Sequence, residues 1–146
     1  MPTVCARFFN VFGERKDPES AYASAIPIFI TKAIKKEPIT IYGDGTQTRD
    51  LIYVKDIVKA LLFLKNHGQG VYNIGYGKVI DINTLVGIIS RFIGSKASIR
   101  YVPERKGEIK HSYAAVERIE SLGFETDYTL EEGLECTIQA FVKSLE

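Results

Sequence analysis

The segment Ile39–Asp56, with the sequence ITIYGDGTQTRDLIYVKD, constrains the fold of this chain more than any other. The β-branched run Ile39–Tyr42 predicts a strand that ends in the turn Gly43–Gly45, and the apolar run Leu51–Val54 predicts a second strand. Glycines let the backbone of such a turn come close to a ligand, and Arg49, just before the second strand, can donate two hydrogen bonds to a phosphate. Taken alone, the segment fits a plain hairpin with a solvated arginine–aspartate pair equally well.

Strand-like runs and amphipathic helical segments alternate along the chain, which predicts an α/β fold. The nearly continuous apolar run Thr3–Phe9 is typical of a parallel strand that is covered on both faces. In the helical segments, apolar residues recur three and four positions apart. We expect further strands at Ile39–Tyr42, Leu51–Val54, Val71–Ile74 and Ser98–Val102, and helices with apolar faces within Ile26–Ile34, Ile57–Leu64, Leu85–Ile93, Ala114–Leu122 and Leu134–Leu145. In the second of these helices, the expected apolar stripe is Ile57, Ala60, Leu61 and Leu64.

Residues with capping chemistry mark several helix ends. Asp56 is the expected N-cap of the second helix, and Gly94 is the expected left-handed residue after the third. Gly123 is expected to stop the helix Ala114–Leu122. Thr129–Glu132 has the pattern of a capping box, which predicts the start of the last helix.

Composition bounds the class of protein. A chain of 146 residues supports one domain, and 45% apolar residues can fill its core. The net charge of +1 argues against a general nucleic-acid or membrane binder, and no apolar run reaches the ~18 residues that cross a membrane. Cys5 and Cys136 lack metal-ligand spacing and lie in apolar contexts. We expect two buried, reduced thiols, as in a cytoplasmic protein.

Three further motifs accompany Ile39–Asp56 and change its interpretation. They are Arg7–Gly13 (RFFNVFG), Tyr72–Gly75 (YNIG) and Val102–Glu108 (VPERKGE). In this order and spacing, the four motifs resemble the C-terminal half of the nucleotide-sugar epimerases and dehydratases, which are extended short-chain dehydrogenases/reductases. The resemblance covers nearly the whole chain.

Within that family, Asp17-Pro18 and Ala21–Ala23 look closest to UDP-sugar 4-epimerases. Active members carry a glycine-rich dinucleotide turn and a catalytic Tyr-x-x-x-Lys, and this sequence has neither; Tyr101 comes nearest, with Arg105 in place of the lysine. The resemblance implies that residues 1–146 are the nucleotide-sugar-binding domain, with residues 1–13 as a residual strand of the Rossmann sheet. We expect the N-terminal dinucleotide-binding half to be missing.

The resemblance assigns ligand contacts to four charged or polar motif residues. Arg49 and Arg105 match arginines that grip the diphosphate, which suits a guanidinium because it donates paired hydrogen bonds and stays charged. Asn10 matches an asparagine at the phosphate–sugar end, and Glu108 matches an acidic position, commonly aspartate, that bonds a ribose hydroxyl. The alternatives are surface arginines, a turn-forming asparagine and a solvated carboxylate.

Five other positions follow from the same resemblance. Thr40 and Tyr42 match the strand end that reads uracil, although Tyr42 fits an ordinary strand residue nearly as well. Phe8 and Val11 match positions that lie against the nicotinamide in complete enzymes, and core packing would select the same residues. Ser112 matches the wall facing carbon 2 of the hexose, where a serine leaves room for an N-acetyl group. It fits the N-cap of the following helix about as well.

Together these assignments imply the UDP-hexose-binding half of an NAD-dependent 4-epimerase, which is an isomerase. In the family mechanism, a tyrosine removes the 4-hydroxyl proton, carbon 4 gives hydride to NAD, and hydride returns to the opposite face of the sugar. The alternatives are a sister dehydratase, decarboxylase or reductase, or a non-catalytic module that binds a UDP-sugar or a partner protein. For this chain alone we expect no activity, no catalytic residue, and neither bound NAD nor metal. We also expect it to pair with the missing half and to form homo-oligomers.

Overall fold

The computed structural model describes residues 3–17, 20 and 24–145, and its α/β class agrees with the prediction. Two segments of the epimerase resemblance, Pro18 and Ala21–Ala23, lie outside these residues. The strands are β1 (Val4–Phe8), β2 (Asn10–Phe12), β3 (Ile39–Tyr42), β4 (Thr48–Tyr53), β5 (Gly70–Ile74), β6 (Val79–Asp81) and β7 (Ile99–Val102). The helices are α1 (Ala25–Ile34), α2 (Val54–His67), α3 (Ile82–Ile93), α4 (Glu117–Glu120) and α5 (Leu130–Leu145).

The described strands pair in three small groups. β1 lies parallel to β5, with Val4 opposite Gly70 and Phe8 opposite Ile74. β4 pairs in parallel with β2 and antiparallel with β6, and β3 lies parallel to β7. Because β3 and β4 pair with different strands, the segment Ile39–Asp56 does not form the hairpin that its sequence allowed.

Two apolar clusters hold these elements together. The first core joins α1, α3 and α5 to β3 and β4, and it includes Ile30, Ile39, Leu85 and Leu134. The second core joins α2 and α4 to β4 and β5. The predicted apolar faces are confirmed where they meet the first core, because all of the following are buried: Ile26, Phe29, Ile30 and Ala33 of α1, Leu85, Val86 and Ile89 of α3, and Leu134, Ile138 and Phe141 of α5.

Two of the predicted capping signals are confirmed. Gly94 follows α3 in the left-handed conformation, with φ of 71°. At the start of α5, the N–H of Thr129 donates to a carboxylate oxygen of Glu132 at 2.8 Å, and the N–H of Glu132 donates to Thr129 Oγ1 at 3.3 Å. This reciprocal pair is a capping box, as the sequence pattern predicted.

The prediction that Asp56 is an N-cap is wrong. α2 begins at Val54 with Tyr53 in the N-cap position, so Asp56 lies inside the first turn. The carboxylate of Asp56 is buried and accepts the N–H of Asp127 at 2.8 Å. Its role is therefore to tie the loop before α5 to α2.

The helix predicted over Ala114–Leu122 is also wrong in its extent. α4 spans only Glu117–Glu120, with Val116 as its N-cap. The N–H of Ala114 donates to the carboxylate of Asp50 at 3.2 Å, which holds that residue outside the helix. The N-cap alternative for Ser112 is excluded by the same geometry.

β1 is parallel, as predicted, but the described residues do not cover both of its faces. Val4 is 38% exposed and Phe8 is 47% exposed. Cys5, on the same strand, is also exposed, and Cys136 is half-buried. Cys5 and Cys136 do not form a disulfide with each other, and the prediction that both are buried is wrong.

Candidate functional site

A cavity of about 570 Å³ lies among α1, β2, β3, β4, the start of α3 and the loop after β7. Parallel strands and their following loops bring together residues that are far apart in the sequence. Seven of the residues assigned by resemblance line it: Asn10, Val11, Thr40, Tyr42, Arg49, Arg105 and Glu108.

Arg49 is held at the cavity by two kinds of contact. Its Nη1 donates to the backbone oxygen of Thr48 at 2.8 Å, and its Nη2 donates to Oε1 of Glu108 at 3.2 Å. The side chains of Arg49 and Glu108 are only 18% and 31% exposed, so this ion pair is partly shielded from water. Arg49 is therefore not a solvated partner of Asp50, as the hairpin alternative supposed.

Arg105 reaches the same cavity from the loop after β7 and stacks on the end of β3. The carbon of its guanidinium lies 3.8 Å from the centroid of the Tyr42 ring. When a guanidinium stacks on an aromatic ring, its N–H groups remain free to donate hydrogen bonds within the plane of the guanidinium. Tyr42 therefore orients Arg105 in addition to lining the cavity.

Two amide side chains at the cavity donate hydrogen bonds to backbone oxygens of the strands that form it. Asn10 donates from Nδ2 to the backbone oxygen of Asp50 at 2.9 Å, which leaves its amide oxygen as an acceptor. Gln47 donates from Nε2 to the backbone oxygen of Tyr42 at 2.8 Å. Gln47 also lines the cavity, although sequence reasoning did not single it out.

Lys32 is a further cavity residue that the sequence did not single out. It lies on α1, and its Nζ donates to the backbone oxygen of Pro38 at 3.3 Å. It follows Ile28 and Phe29, two other lining residues, by four and three positions. That helical spacing could have identified it. The cavity lining thus includes three cationic side chains and the carboxylate of Glu108.

Asp50, the neighbour of Arg49, is fully buried. Burial raises the pKa of its carboxyl group, while hydrogen bonds from the N–H groups of Tyr76, Ala114 and Gly77 act in the opposite direction. The carboxylate faces backbone donors and not the cavity, so it belongs to the support of the site.

A family model described as the NAD dependent epimerase/dehydratase family matches residues 1–75. The chain belongs to this family. The solved UDP-N-acetylglucosamine 4-epimerase from Methanobrevibacter ruminantium, in complex with UDP-N-acetylmuramic acid, is 41% identical with a TM-score of 0.93, over 99% of this chain and 47% of that one. The UDP-glucose 4-epimerase of Thermotoga maritima, solved with UDP-glucose, is 35% identical with a TM-score of 0.93, over 98% of this chain and 47% of that one.

Among curated proteins, the UDP-glucuronate 4-epimerase of Thermodesulfobacterium geofontis is 34% identical over 143 residues, which are 96% of this chain and 43% of that protein. The chain thus spans less than half the length of these relatives. The resemblance to nucleotide-sugar epimerases is confirmed, and so is the Rossmann-type α/β fold.

The family name implies NAD, and a dinucleotide needs a glycine turn whose backbone can approach the pyrophosphate. Gly13, which follows β2, does not supply one, because a side-chain carbon there would lie 2.5 Å from Cγ1 of Val54. That space is already filled by protein. Gly13 therefore allows close packing of the chain against Val54 and does not form a dinucleotide-binding turn. Val11 lines the cavity, and Phe8 lies exposed at the end of β1.

Two predicted site residues lie outside the cavity lining. Phe8 is exposed, so core packing does not account for it. Ser112 is half-buried, and its N–H donates to the backbone oxygen of Thr48 at 3.1 Å. The same oxygen accepts from Arg49, so Ser112 lies beside the arginine without lining the cavity itself.

In the part of the chain that the structure describes, no cluster of histidine, cysteine, aspartate and glutamate could hold a metal ion. The helices there are too short or too polar to cross a membrane.

Proposed function

We propose that this chain is the nucleotide-sugar-binding part of an NAD-dependent UDP-hexose 4-epimerase. The observation that carries the proposal is a single cavity with Arg49 and Arg105 from separate chain segments, together with Lys32. The diphosphate of a UDP-sugar is a small, doubly negative group, which this set of donors suits. The similar proteins named above, which are epimerases of UDP-sugars, support the same choice.

In this proposal Arg49 and Arg105 donate to the diphosphate. A charge-assisted hydrogen bond of this kind stabilises a complex by about 1.5–3 kcal/mol. Asn10 contacts the phosphate–sugar end through its free amide atoms, and Glu108 accepts from a ribose hydroxyl. Because Glu108 already bonds Arg49, one carboxylate would orient both the arginine and the ribose.

The remaining assignments concern the two ends of the ligand. Thr40 and Tyr42 contact the uracil, and Ser112 faces carbon 2 of the hexose. Phe8 and Val11 form the apolar surface against which a nicotinamide packs in the whole protein. Inversion at carbon 4 requires the hexose to turn while the UDP stays fixed, and a site with its cations on the diphosphate suits that requirement.

We further propose that residues 1–146 act as one nucleotide-sugar-binding domain in which residues 1–13 continue the sheet of a dinucleotide-binding part. The chain spans less than half the length of its relatives. The cofactor and the catalytic tyrosine would therefore come from other residues of the whole protein, which we expect to assemble as a homo-oligomer.

Calorimetric titration of the 146-residue chain tests the proposal most directly. UDP and UDP-glucose should bind with similar affinity, because the nucleotide diphosphate supplies most of the contacts. ADP-glucose is the matched control, since it keeps the diphosphate and the sugar but changes the base. If UDP-glucose and ADP-glucose bind equally well, the cavity does not recognise uracil and is a general anion site. If neither binds, the proposal is contradicted.

An activity assay tests the finer assignment. The chain alone should not convert UDP-galactose into UDP-glucose, because hydride transfer needs a bound nicotinamide and a base. The whole protein, loaded with NAD, should perform this conversion without releasing a dehydrated or decarboxylated sugar. Formation of such products would favour a sister enzyme of the family.

Ser112→Tyr in the whole protein tests the sugar end. If Ser112 lines the carbon-2 pocket, the wild type should epimerise both UDP-N-acetylglucosamine and UDP-glucose. The tyrosine should remove the first activity, because a filled pocket cannot hold a phenol ring and an acetamide together. The measurement is the ratio of kcat/KM for the two sugars. An unchanged ratio would assign Ser112 only to its backbone contact with Thr48.

A further inference from the structure

The carboxylate of Asp50 is fully buried, and it accepts hydrogen bonds from three backbone N–H groups. One of its oxygens accepts the N–H of Tyr76 at 2.7 Å, and the other accepts the N–H groups of Gly77 at 3.0 Å and Ala114 at 3.2 Å. Removing one such acceptor leaves buried N–H groups without partners, which is costly. Asp50 therefore joins β4 to two separate chain segments, the turn after β5 and the segment before α4.

The packing around this carboxylate leaves no spare room. A side-chain carbon at Gly75 would overlap the Cβ of Ala114 and lie 3.0 Å from Oδ1 of Asp50. Only a glycine at this position lets the turn after β5 approach Asp50 closely enough to donate to it. The arrangement is thus built for a carboxylate of this length at this position.

The backbone of Asp50 continues directly into the cavity. Its carbonyl oxygen accepts Nδ2 of Asn10 at 2.9 Å, while its chain neighbours Arg49 and Leu51 line the cavity. The side chain of Asp50 therefore makes buried hydrogen bonds on one side of β4. Its carbonyl oxygen and its two chain neighbours face the residues of the cavity.

We propose that Asp50 is a positioning residue of the nucleotide-sugar site: its buried carboxylate fixes the backbone of β4 and thereby orients the Asn10 amide. The inference rests on the proposed function, in which Asn10 contacts the ligand. An acceptor-only group is required at this position, because three N–H groups point at it. An asparagine would turn an NH₂ group toward at least one of these donors.

Asp50→Asn tests this inference, with Asp56→Asn as the matched control. Both changes remove a buried carboxylate that accepts backbone N–H groups, but Asp56 does not line or contact the cavity. We expect Asp50→Asn to shift the NMR resonances of the Asn10 side-chain amide and to weaken UDP binding about tenfold. Asp56→Asn should leave both unchanged.

A double-mutant cycle with Asn10→Ala separates positioning from a general loss of stability. If Asp50 acts through Asn10, the Asp50→Asn change should weaken UDP binding far less when Asn10 is already alanine. Additive losses, or an Asn10 resonance that does not move in folded Asp50→Asn, would overturn the inference.

Two further outcomes are informative. If Asp50→Asn does not fold, hydrogen exchange of the Asn10 side-chain amide in the wild type decides: slow exchange supports the bond to Asp50, and free exchange refutes it. If the wild type does not bind UDP, the proposed function fails for this chain. The Asn10 resonances still decide whether Asp50 orients that amide.

Discussion

The first and second cores of this chain differ in how completely they are covered. In β3, which borders the first core, Ile39 and Ile41 are almost completely buried. In β1 and β5, which border the second core, the apolar side chains of Val4, Phe8 and Val71 remain substantially exposed. Apolar residues occupy alternate positions in both β1 and β3, so the difference lies in which elements pack on each strand.

α2 shows the same contrast within one helix. Ile57, Ala60 and Leu64 are buried in the second core, whereas Leu61, at the edge of this stripe, is 44% exposed and Leu62, on the far side, is 63% exposed. The prediction that Leu61 shares the buried stripe is therefore wrong. Exposed apolar residues on a helix and a neighbouring sheet are typical of surfaces that bind another protein surface.

From this difference we propose that nucleotide binding and self-association involve separate parts of this chain. The cavity lies against the first core, whose apolar residues are covered by α1, α3 and α5. The exposed face, defined here as the apolar residues Val4 and Phe8 of β1 and Leu61 and Leu62 of α2, borders the second core and does not line the cavity. Changes in one region should therefore leave the function of the other intact.

The largest effect should come from removing a covered leucine. Leu134→Ala in α5 should lower the free energy of unfolding by about 2–5 kcal/mol, because it leaves a cavity in the first core. Leu62→Ala in α2 is the matched change at an exposed helical leucine and should cost less than about 0.5 kcal/mol. Chemical denaturation measures both. Equal losses would mean that the exposed face is covered in solution.

Next in size are the cavity arginines. Arg49→Ala and Arg105→Ala should each weaken UDP binding by ~1.5–3 kcal/mol, about 10- to 150-fold, because each removes a charge-assisted contact. Arg91→Ala is the control, since Arg91 is an exposed arginine of α3 outside the cavity lining. Calorimetry in low salt gives the affinities. A change within twofold for both cavity variants would make these arginines ordinary surface residues.

A smaller effect is expected for assembly through the exposed face. β1 pairs with β5 on one edge, and the apolar residues around it favour self-association. Leu62→Glu should raise the dissociation constant of that association about tenfold or more, since it places a charge where a leucine would be buried. Light scattering over a range of concentrations measures this. A wild type that stays monomeric throughout would contradict the prediction, and UDP affinity should not change in either case.

Helices of the first core could be predicted from sequence, because their apolar spacing and their caps are local signals. The capping box at Thr129 and the left-handed Gly94 are examples. The start of α2 could not be predicted in the same way. Asp56 has good capping chemistry, but its carboxylate bonds the N–H of Asp127, which lies 71 positions away in sequence.

Short strands and contacts between distant residues could not be predicted either, because they too depend on partners that are far away in the sequence. β6 has only three residues, and although Val79 and Ile80 favour a strand, so short a run does not stand out in the sequence without its partner β4. In the site, motif resemblance identified Arg49 and Glu108 separately. Their ion pair joins positions 59 apart in sequence, and only the fold brings them together.

The smallest expected effect concerns pH and compares two carboxylates. Burial raises the pKa of Asp56, whereas hydrogen bonds from Thr84 lower the pKa of Asp81, the N-cap of α3. Asp56 therefore binds a proton more readily in the folded chain, so its burial destabilises the fold at neutral pH and less as the pH falls through its raised pKa. Asp81 does the opposite: it stabilises the fold above the ordinary aspartate pKa, and this contribution is lost as the pH falls through its lowered pKa.

These signs predict how two asparagine variants differ from the wild type. The free energy of unfolding of Asp56→Asn, minus that of the wild type, should decrease as the pH falls from about 7 to about 4, because the wild type recovers stability when Asp56 is protonated. For Asp81→Asn the same difference should be negative at neutral pH and rise toward zero below the ordinary aspartate pKa. Denaturant titrations at several pH values give both differences. If the difference in free energy of unfolding between Asp56→Asn and the wild type does not vary with pH, then burying the charged carboxylate of Asp56 does not destabilise the fold. The link between α2 and the loop before α5 would then rest on the Asp127 hydrogen bond alone.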